Sequence, residues 1–391
     1  MKQNLLVVFG GKSCEHDISV ITAVQAMNHA DGGKYEIIPL YIREGLYTGK
    51  RLTELETYRD FDGNKARLRR AEFAFGGIKT YRFPWAKRYV PIDCALLCCH
   101  GGIGENGGLQ GLLEFYGIPY TSPDTAASAV CMDKVLTKEV LLSLGLPVLP
   151  YFVAYDSEID GIEPPKNLSY PLIVKPASQG SSIGIAVAHS LDELKSACLT
   201  AAEFGRKILV ETALTDFYEI NCAAVKRDGK ILVSECEKPV SWSEFLSFDE
   251  KYLSGGKADG KSGGEGKSAS EGMKSLKREY PAKLPKALKK SIVNFTEKAY
   301  SALDMRGSVR IDFLVDRSEG RVYLNEINTI PGSLAYYLFE KNGISFGELI
   351  DIAVLEGIAD KRRGDQKNYV YESSVLETQN GTKNVKLNVE D

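Results

Sequence analysis

A protein of mixed α/β and α+β class with three lobes follows from three observations in the 391-residue sequence. First, apolar runs alternate with helical stretches over residues 1–125, the pattern of a Rossmann-like parallel sheet. Second, residues 126–212 read as paired helices, then strand, glycine-rich loop, strand, helix and strand, a small α+β lobe. Third, residues 213–360 hold two strand-like runs joined by a turn, and form a further lobe. In the first lobe, residues 5–9, 36–41 and 94–99 read as strands, and 19–29 and 108–116 as helices. Residues 44–90 are charged and carry no clean period, so they receive no assignment. Helices are expected over 127–144 and 191–203, and strands at 170–174, 185–188 and 207–210. Residues 254–275 are mostly Gly, Ser, Lys, Glu and Ala, the composition of a loop, here expected as a lid over 245–280. Residues 361–391 are polar and are expected to form a partly disordered tail.

Composition narrows the function. A hydrophobic fraction of 43% with 26% charged residues describes a soluble globular chain, and a net charge of −3 offers nothing to nucleic acid or an anionic membrane. No apolar run approaches the ~18 residues that span a bilayer, and residues 5–9 are too short for a signal-peptide core. The eight cysteines form no Cys-x-x-Cys pair, which argues against zinc, and their scatter suits reduced thiols in a cytoplasm.

The most informative segment is Arg310-Ile-Asp312, a turn over 316–320, and Glu326-Ile-Asn328. Side chains two apart on a strand share a face, so Arg310 projects with Asp312, and Glu326 with Asn328. Paired as a hairpin, the two runs put two carboxylates, an amide oxygen and an arginine on one face. These are hard ligands suited to Mg²⁺, which brings phosphate oxygens with it and so implies a nucleoside triphosphate. An exposed polar face is the plainer alternative. Lys175 closes the apolar run 172–174, and the following loop 178–184 can fold over phosphates with backbone and hydroxyl donors. Gly10-Gly-Lys12-Ser13 fails the phosphate-loop pattern because Leu6 stands where its first glycine belongs. Glu15 and His16 lie in that turn. His100 opens the glycine-dense stretch 100–108, which lets backbone approach a ligand closely. Glu211 ends a strand, and Lys251-Tyr252 precede the loop-like segment.

Taken in order, these pieces resemble the D-alanine–D-alanine ligases of the ATP-grasp superfamily over roughly residues 4–358. The resemblance rests on Phe9-Gly-Gly-Lys-Ser-Cys-Glu15-His, His100-Gly-Gly-Ile-Gly-Glu105, Leu109-Gln-Gly, Met132-Asp-Lys134, Val174-Lys175-Pro, Gly180-Ser181-Ser182, Glu250-Lys251-Tyr252, Arg310-Ile-Asp312 and Asn325-Glu326-Ile-Asn328-Thr-Ile-Pro-Gly332. It implies an ATP-grasp architecture and an enzyme that uses ATP and two Mg²⁺ ions, with Mn²⁺ as a possible substitute. D-alanine is the implied substrate, a homodimer the implied assembly, and cell-wall precursor synthesis the implied setting. Lys134, Lys175 and Lys251 resemble the phosphate-holding lysines, Glu211 the adenine-contacting residue, and Asp312, Glu326 and Asn328 the metal ligands. Glu15 resembles the residue that receives the first D-alanine's amine, linked through Ser181 to Tyr252. Arg310 and the Gly332 N–H resemble the oxyanion donors, and His100 a substrate contact.

The chain departs from the family pattern in three places. Asn106 stands where many members have Asp. Glu219 matches the ribose-binding glutamate only with one residue inserted. Ser333-Leu-Ala-Tyr-Tyr337 replaces the usual Thr-Ser-x-Ser after Gly332; hydroxyls are available there from Ser333, Tyr336 or Tyr337, of which Ser333 and Tyr337 are taken as the candidates for the second substrate's carboxylate. A different acceptor, such as D-serine or D-lactate, is therefore the alternative.

Overall fold

The structure is a computed structural model that describes residues 2–83, 85–239 and 278–367. The expected contributions of Lys251 and Tyr252, most of the lid and most of the tail lie outside the described residues.

The first sheet has seven strands. Three of them, β1 (Gln3–Gly10), β2 (Tyr35–Ile42) and β7 (Cys94–Leu97), run parallel, with β1 between the other two. Their apolar runs are uninterrupted because helices cover the parallel core. Helix α1 (His16–His29) crosses over from β1 to β2, and α2 (Gly108–Phe115) follows β7. The unassigned residues 44–90 supply β3 (Leu46–Thr48), β4 (Arg69–Ala74), β5 (Gly77–Tyr81) and β6 (Lys87–Pro91), which extend the sheet antiparallel beyond β2. The sheet is thus mixed rather than parallel. Strand β6 lies at the outer edge with most of its side chains exposed, so no apolar period marked it in the sequence.

Two four-stranded antiparallel sheets follow. The second joins β8 (Tyr151–Tyr155), β9 (Leu172–Pro176), β10 (Ala186–Ala188) and β11 (Lys207–Thr212) in the order β10-β9-β11-β8, backed by α5 (Leu191–Ala202) after α3 (Thr125–Met132) and α4 (Lys134–Ser143). Helix α5 begins on a reciprocal cap, in which the Ser190 hydroxyl accepts from the Glu193 N–H and Glu193 accepts from the His189 N–H. The third sheet joins β12 (Phe217–Arg227), β13 (Lys230–Val233), β16 (Val309–Asp316) and β17 (Val322–Asn328) in the order β13-β12-β16-β17. Helix α6 (Lys286–Ala302) packs on it. The short pair β14 (Lys238–Pro239) and β15 (Arg278–Glu279) joins the two chain ends that flank residues 240–277.

Cores do not follow the chain order. Cys131, Leu141, Leu146 and Val148, placed by sequence in the central lobe, pack into the core of the third sheet with Ile220, Ile311 and Phe313. Helix α7 (Phe346–Asp365) buries Phe346, Ile350 and Val354 against the first sheet and Leu349 and Ile352 against Ala223 and Val225 of the third. It runs five residues into the segment expected as tail, ending at Asp365. Gly357 permits this packing, since a Cβ there would lie 2.3 Å from the Tyr120 carbonyl oxygen. All eight cysteines are free thiols and seven are buried, in keeping with reduced, hydrophobe-like cysteines. Among the described residues no helix is long and apolar enough to cross a membrane.

Helix α7 also carries a buried carboxylate. Glu356 accepts the Gly307 N–H at 3.0 Å and lies 3.8 Å from the Lys226 ammonium. Burial outweighs both and pushes the acid up from 4.5 to about 7. A folded pKa above the unfolded value means the folded state holds this proton more tightly. Stability from this group is therefore full below pH 4.5 and is lost as pH rises through about 7. Glu356→Gln should remove that loss, so thermal melts should show its midpoint gaining on wild type between about pH 5 and about pH 8. An unchanged gap would refute the assignment.

Candidate active site

The hairpin of β16 and β17 has the expected face. Arg310 pairs with Asn328 and Asp312 with Glu326, and the register shifts only after Asp312. Arg310 donates to both Asp312 oxygens, from Nε at 2.7 Å and from Nη2 at 2.8 Å, and Asn328 Nδ2 donates to Oδ2 at 3.1 Å. Burial pushes Asp312 up to about 6; Arg310 opposes the shift, while Glu326 and Glu219 reinforce it. Among the described residues no three acidic, histidine or cysteine groups form a metal cage. Mg²⁺ does not require one, because it takes one or two carboxylates and completes its shell with water and phosphate oxygens. Two crowded carboxylates beside an amide oxygen fit such an ion.

Facing this hairpin, a cleft of about 650 Å³, open to solvent, separates the second and third sheets. Leu149, Ile173, Phe217 and Leu314 give it apolar walls, and Lys134, Lys175, Glu211, Glu219 and Glu326 line it. Apolar walls together with two lysines suit a purine nucleotide with its phosphates. Lys134 opens α4, where Asp133 caps the Val135 and Leu136 N–H groups, and its ammonium donates to the Gln179 carbonyl. Lys175 projects from β9, donating to Glu211 and, at 3.2 Å, to Asn325 Oδ1.

Glu211 sits differently from its sequence assignment. Its carboxylate is fully buried between Lys175 and Lys138, with Lys138 Nζ 2.6 Å from Oε2. Burial disfavours the anion, but the two lysines outweigh it and hold the acid at about 2. The side chain is thus committed to an ion triad, and only its backbone remains to meet a base. Sequence reasoning missed Lys138. The available signal was its place one turn after Lys134 on α4, but a helical lysine ordinarily reads as solvated.

The first lobe meets the second at Glu15. The Ser181 hydroxyl donates to Glu15 Oε1, and both Ser181 (φ 54°) and Ser182 (φ 58°) are left-handed, which folds the 178–184 loop back toward the β1–α1 turn. Gly101 and Gly180 crowd the same carboxylate, as Cβ atoms there would lie 2.9 and 3.0 Å from Oε2. His100 is buried: with Nδ1 donating to the Ile330 carbonyl at 2.7 Å, Nε2 accepts from the Thr22 hydroxyl at 2.9 Å. Burial lowers its pKa, so the ring is neutral. Thr22 in turn accepts the Ser333 N–H at 3.0 Å. His100 therefore positions the segment after β17. Glu105, also unassigned from sequence, ties the glycine-dense stretch to the same segment through the Gly101 N–H at 2.9 Å and the Ile330 N–H at 3.1 Å.

After Gly332 the chain kinks, with Ser333, Leu334 and Ala335 all left-handed at φ of 51°, before the turn that ends at Leu338. The two hydroxyls expected to meet a substrate have protein partners instead. Ser333 Oγ donates to Gln25 Oε1 at 2.7 Å, and Tyr337 donates to Glu237 Oε1 at 3.1 Å.

Known proteins resemble this chain over most of its length. Residues 4–123 match the model of the D-ala D-ala ligase N-terminus, and residues 140–355 that of the D-ala D-ala ligase C-terminus. A D-alanine–D-alanine ligase of Thermosipho melanesiensis is 34% identical over 97% of this chain and 99% of its own. One from a Thermoanaerobacter species is 36% identical over 90% of this chain and 95% of its own. Among solved structures, the D-alanine–D-alanine ligase of Coxiella burnetii superposes with a TM-score of 0.74 at 25% identity, covering 93% of this chain and 96% of that one. The VanG D-Ala:D-Ser ligase of Enterococcus faecalis has the same TM-score at 26% identity, covering 91% and 100%.

Proposed function

The chain belongs to the D-alanine–D-alanine ligase family, and from that premise we propose that its cleft joins two D-alanine molecules at the expense of ATP for cell-wall precursor synthesis. The observation that carries the reading is the β16–β17 register, which sets Arg310, Asp312, Glu326 and Asn328 on one face beside the lysine-lined cleft.

A carboxylate is a poor electrophile, so the donor D-alanine must first take the γ-phosphoryl group of ATP and become an acyl phosphate. Lys134 and Lys175 hold the phosphates, and Glu219 is assigned to the ribose. Asp312, Glu326 and Asn328 would hold Mg²⁺, which when bound screens the phosphate charge. Glu15, fixed by Ser181, receives the donor's ammonium group. The acceptor's amine then attacks the acyl carbon, Arg310 and the Gly332 N–H stabilise the tetrahedral oxyanion, and phosphate leaves. Lys251 and Tyr252 are assigned to phosphate binding and to the Glu15–Ser181 link, respectively.

D-alanine as acceptor is supported by the 34% and 36% identical relatives, which carry that name, over the less similar D-Ala:D-Ser ligase. Two Mg²⁺ ions replaceable by Mn²⁺, a cytoplasmic location and a homodimer complete the proposal; metal titration, cell fractionation and sedimentation check them. The main test is phosphate release from ATP and Mg²⁺ with D-alanine. D-alanine-dependent release with formation of the dipeptide is expected, as is its disappearance on chelation by EDTA. Background release alone would overturn the reading.

A further inference from the structure

The proposed reaction needs two groups held in fixed relation: the Glu15 carboxylate, which receives the donor's ammonium group, and the Gly332 N–H, which meets the oxyanion. Glu105 joins their surroundings. Its Oε2 accepts the Gly101 N–H at 2.9 Å, and Gly101 abuts Glu15, since a Cβ there would lie 2.9 Å from Glu15 Oε2. Its Oε1 accepts the Ile330 N–H at 3.1 Å and the Thr329 hydroxyl at 3.3 Å. One carboxylate thus bonds the backbone beside the donor site and the backbone just before the oxyanion donor.

The segment after β17 is pinned on both sides of Gly332. Ile330 is held through its N–H by Glu105 and through its carbonyl by His100, and the Ser333 N–H is held by Thr22. Between them Pro331 has no N–H to offer, and the Gly332 N–H has no acceptor among the described residues. Its direction is set by the pinned peptides around it. The joint calls for a carboxylate, because two N–H groups and a hydroxyl converge on it and an acceptor-only group satisfies all three. A glutamine of the same shape would turn its NH₂ toward one of those N–H groups, donor against donor. We infer that Glu105 is a positioning residue for the second chemical step, holding the Gly332 N–H at the oxyanion and in register with Glu15. The inference rests on the ligase reading and deepens it. Glu105 acts through Ile330 and Gly101 and touches no reacting atom.

The two chemical steps are read separately in the full-length chain with ATP, Mg²⁺ and D-alanine. A heavy-oxygen label in the β,γ bridge of ATP moves to a non-bridge position on the β-phosphate when a donor takes the γ-phosphoryl group and returns it. Positional exchange therefore reports acyl phosphate formation, and dipeptide reports attack by the amine. Glu105→Gln should lower dipeptide synthesis about ten- to a hundredfold and leave the KM for ATP within about twofold. The ratio of exchange to dipeptide synthesis should rise about tenfold or more, because the oxyanion donor serves the second step. Glu105→Asp, which keeps an acceptor-only group on a shorter arm, should fall between, and is read by the same ratio if Glu105→Gln does not fold. A merely structural role would lower both rates together. An unchanged ratio in a folded variant would therefore overturn the inference, as would a loss confined to the KM for ATP. Absence of dipeptide with the wild-type chain would instead refute the ligase reading, and this inference with it.

Discussion

Asp312→Asn is expected to lower dipeptide synthesis about a thousandfold or more at saturating ATP, while the melting temperature stays within a few degrees of wild type. The size follows from the charges that must meet. A donor carboxylate approaching a triphosphate is anion meeting anion, and two unit charges about 4 Å apart repel by about 4 kcal/mol at an effective dielectric of about 20. That alone corresponds to about a thousandfold in rate. Asparagine has nearly the shape of aspartate and keeps an oxygen for Arg310, but it removes one of the two anions, Asp312 and Glu326, that stand opposite each other on the hairpin. Because Arg310 also loses half of its bidentate partner, Glu326→Gln is the cleaner companion and should cause a loss of similar order. Asp316→Asn, at the far end of the same strand where Ser318 bonds the carboxylate, should stay within about twofold. Rates of phosphate release for the three variants decide the matter. Near-wild-type turnover by Asp312→Asn or Glu326→Gln would remove the metal assignment.

The difference between Asp312 and Lys138 explains which parts of the site could be read from sequence. The hairpin was legible because period-two alternation and a short turn are local. Once Arg310 and Asp312 share a face, their facing Asn328 and Glu326 follow from antiparallel pairing. Lys175 was legible for the same reason, standing at the end of a buried run that had to be a strand. Features made by distant contacts were not legible. Ser333 looked available for substrate until its hydroxyl proved to donate to Gln25, 308 residues away. Glu237 and Arg278 carry no local pattern, and their meeting depends on the β14–β15 ladder. Strand β12 is buried over six consecutive residues with both faces covered, so it shows no alternation to mark it. The mixed character of the first sheet was hidden because its antiparallel half is built from short, charged strands.

Lys138→Met should lower the unfolding free energy by about 3–5 kcal/mol, the largest stability effect expected of any single charged residue here. Lys138 and Glu211 are 1% and 0% exposed, so neither can recruit bulk water when its partner is lost. In the wild type Glu211 is neutralised by two lysines, and that redundancy has a functional reading. Lys175 is one of the lysines proposed to hold phosphate, for which its ammonium must turn away from Glu211. When it does, Lys138 remains 2.6 Å from Glu211 and keeps the carboxylate paired. With methionine at 138, Lys175 becomes the sole counter-ion and is drawn more strongly to Glu211, so the KM for ATP should rise along with the loss of stability. The order of effects separates this account from simple repacking. Adding Glu211→Gln to Lys138→Met should restore part of the lost stability, because the buried anion is gone and Lys175 needs no partner there. Urea midpoints of the two single variants and the double variant test the coupling. Strict additivity of the two substitutions would show that Lys138 and Glu211 do not act as a pair. A drop in stability without a rise in the KM for ATP would leave Lys138 structural and detach it from the movement of Lys175.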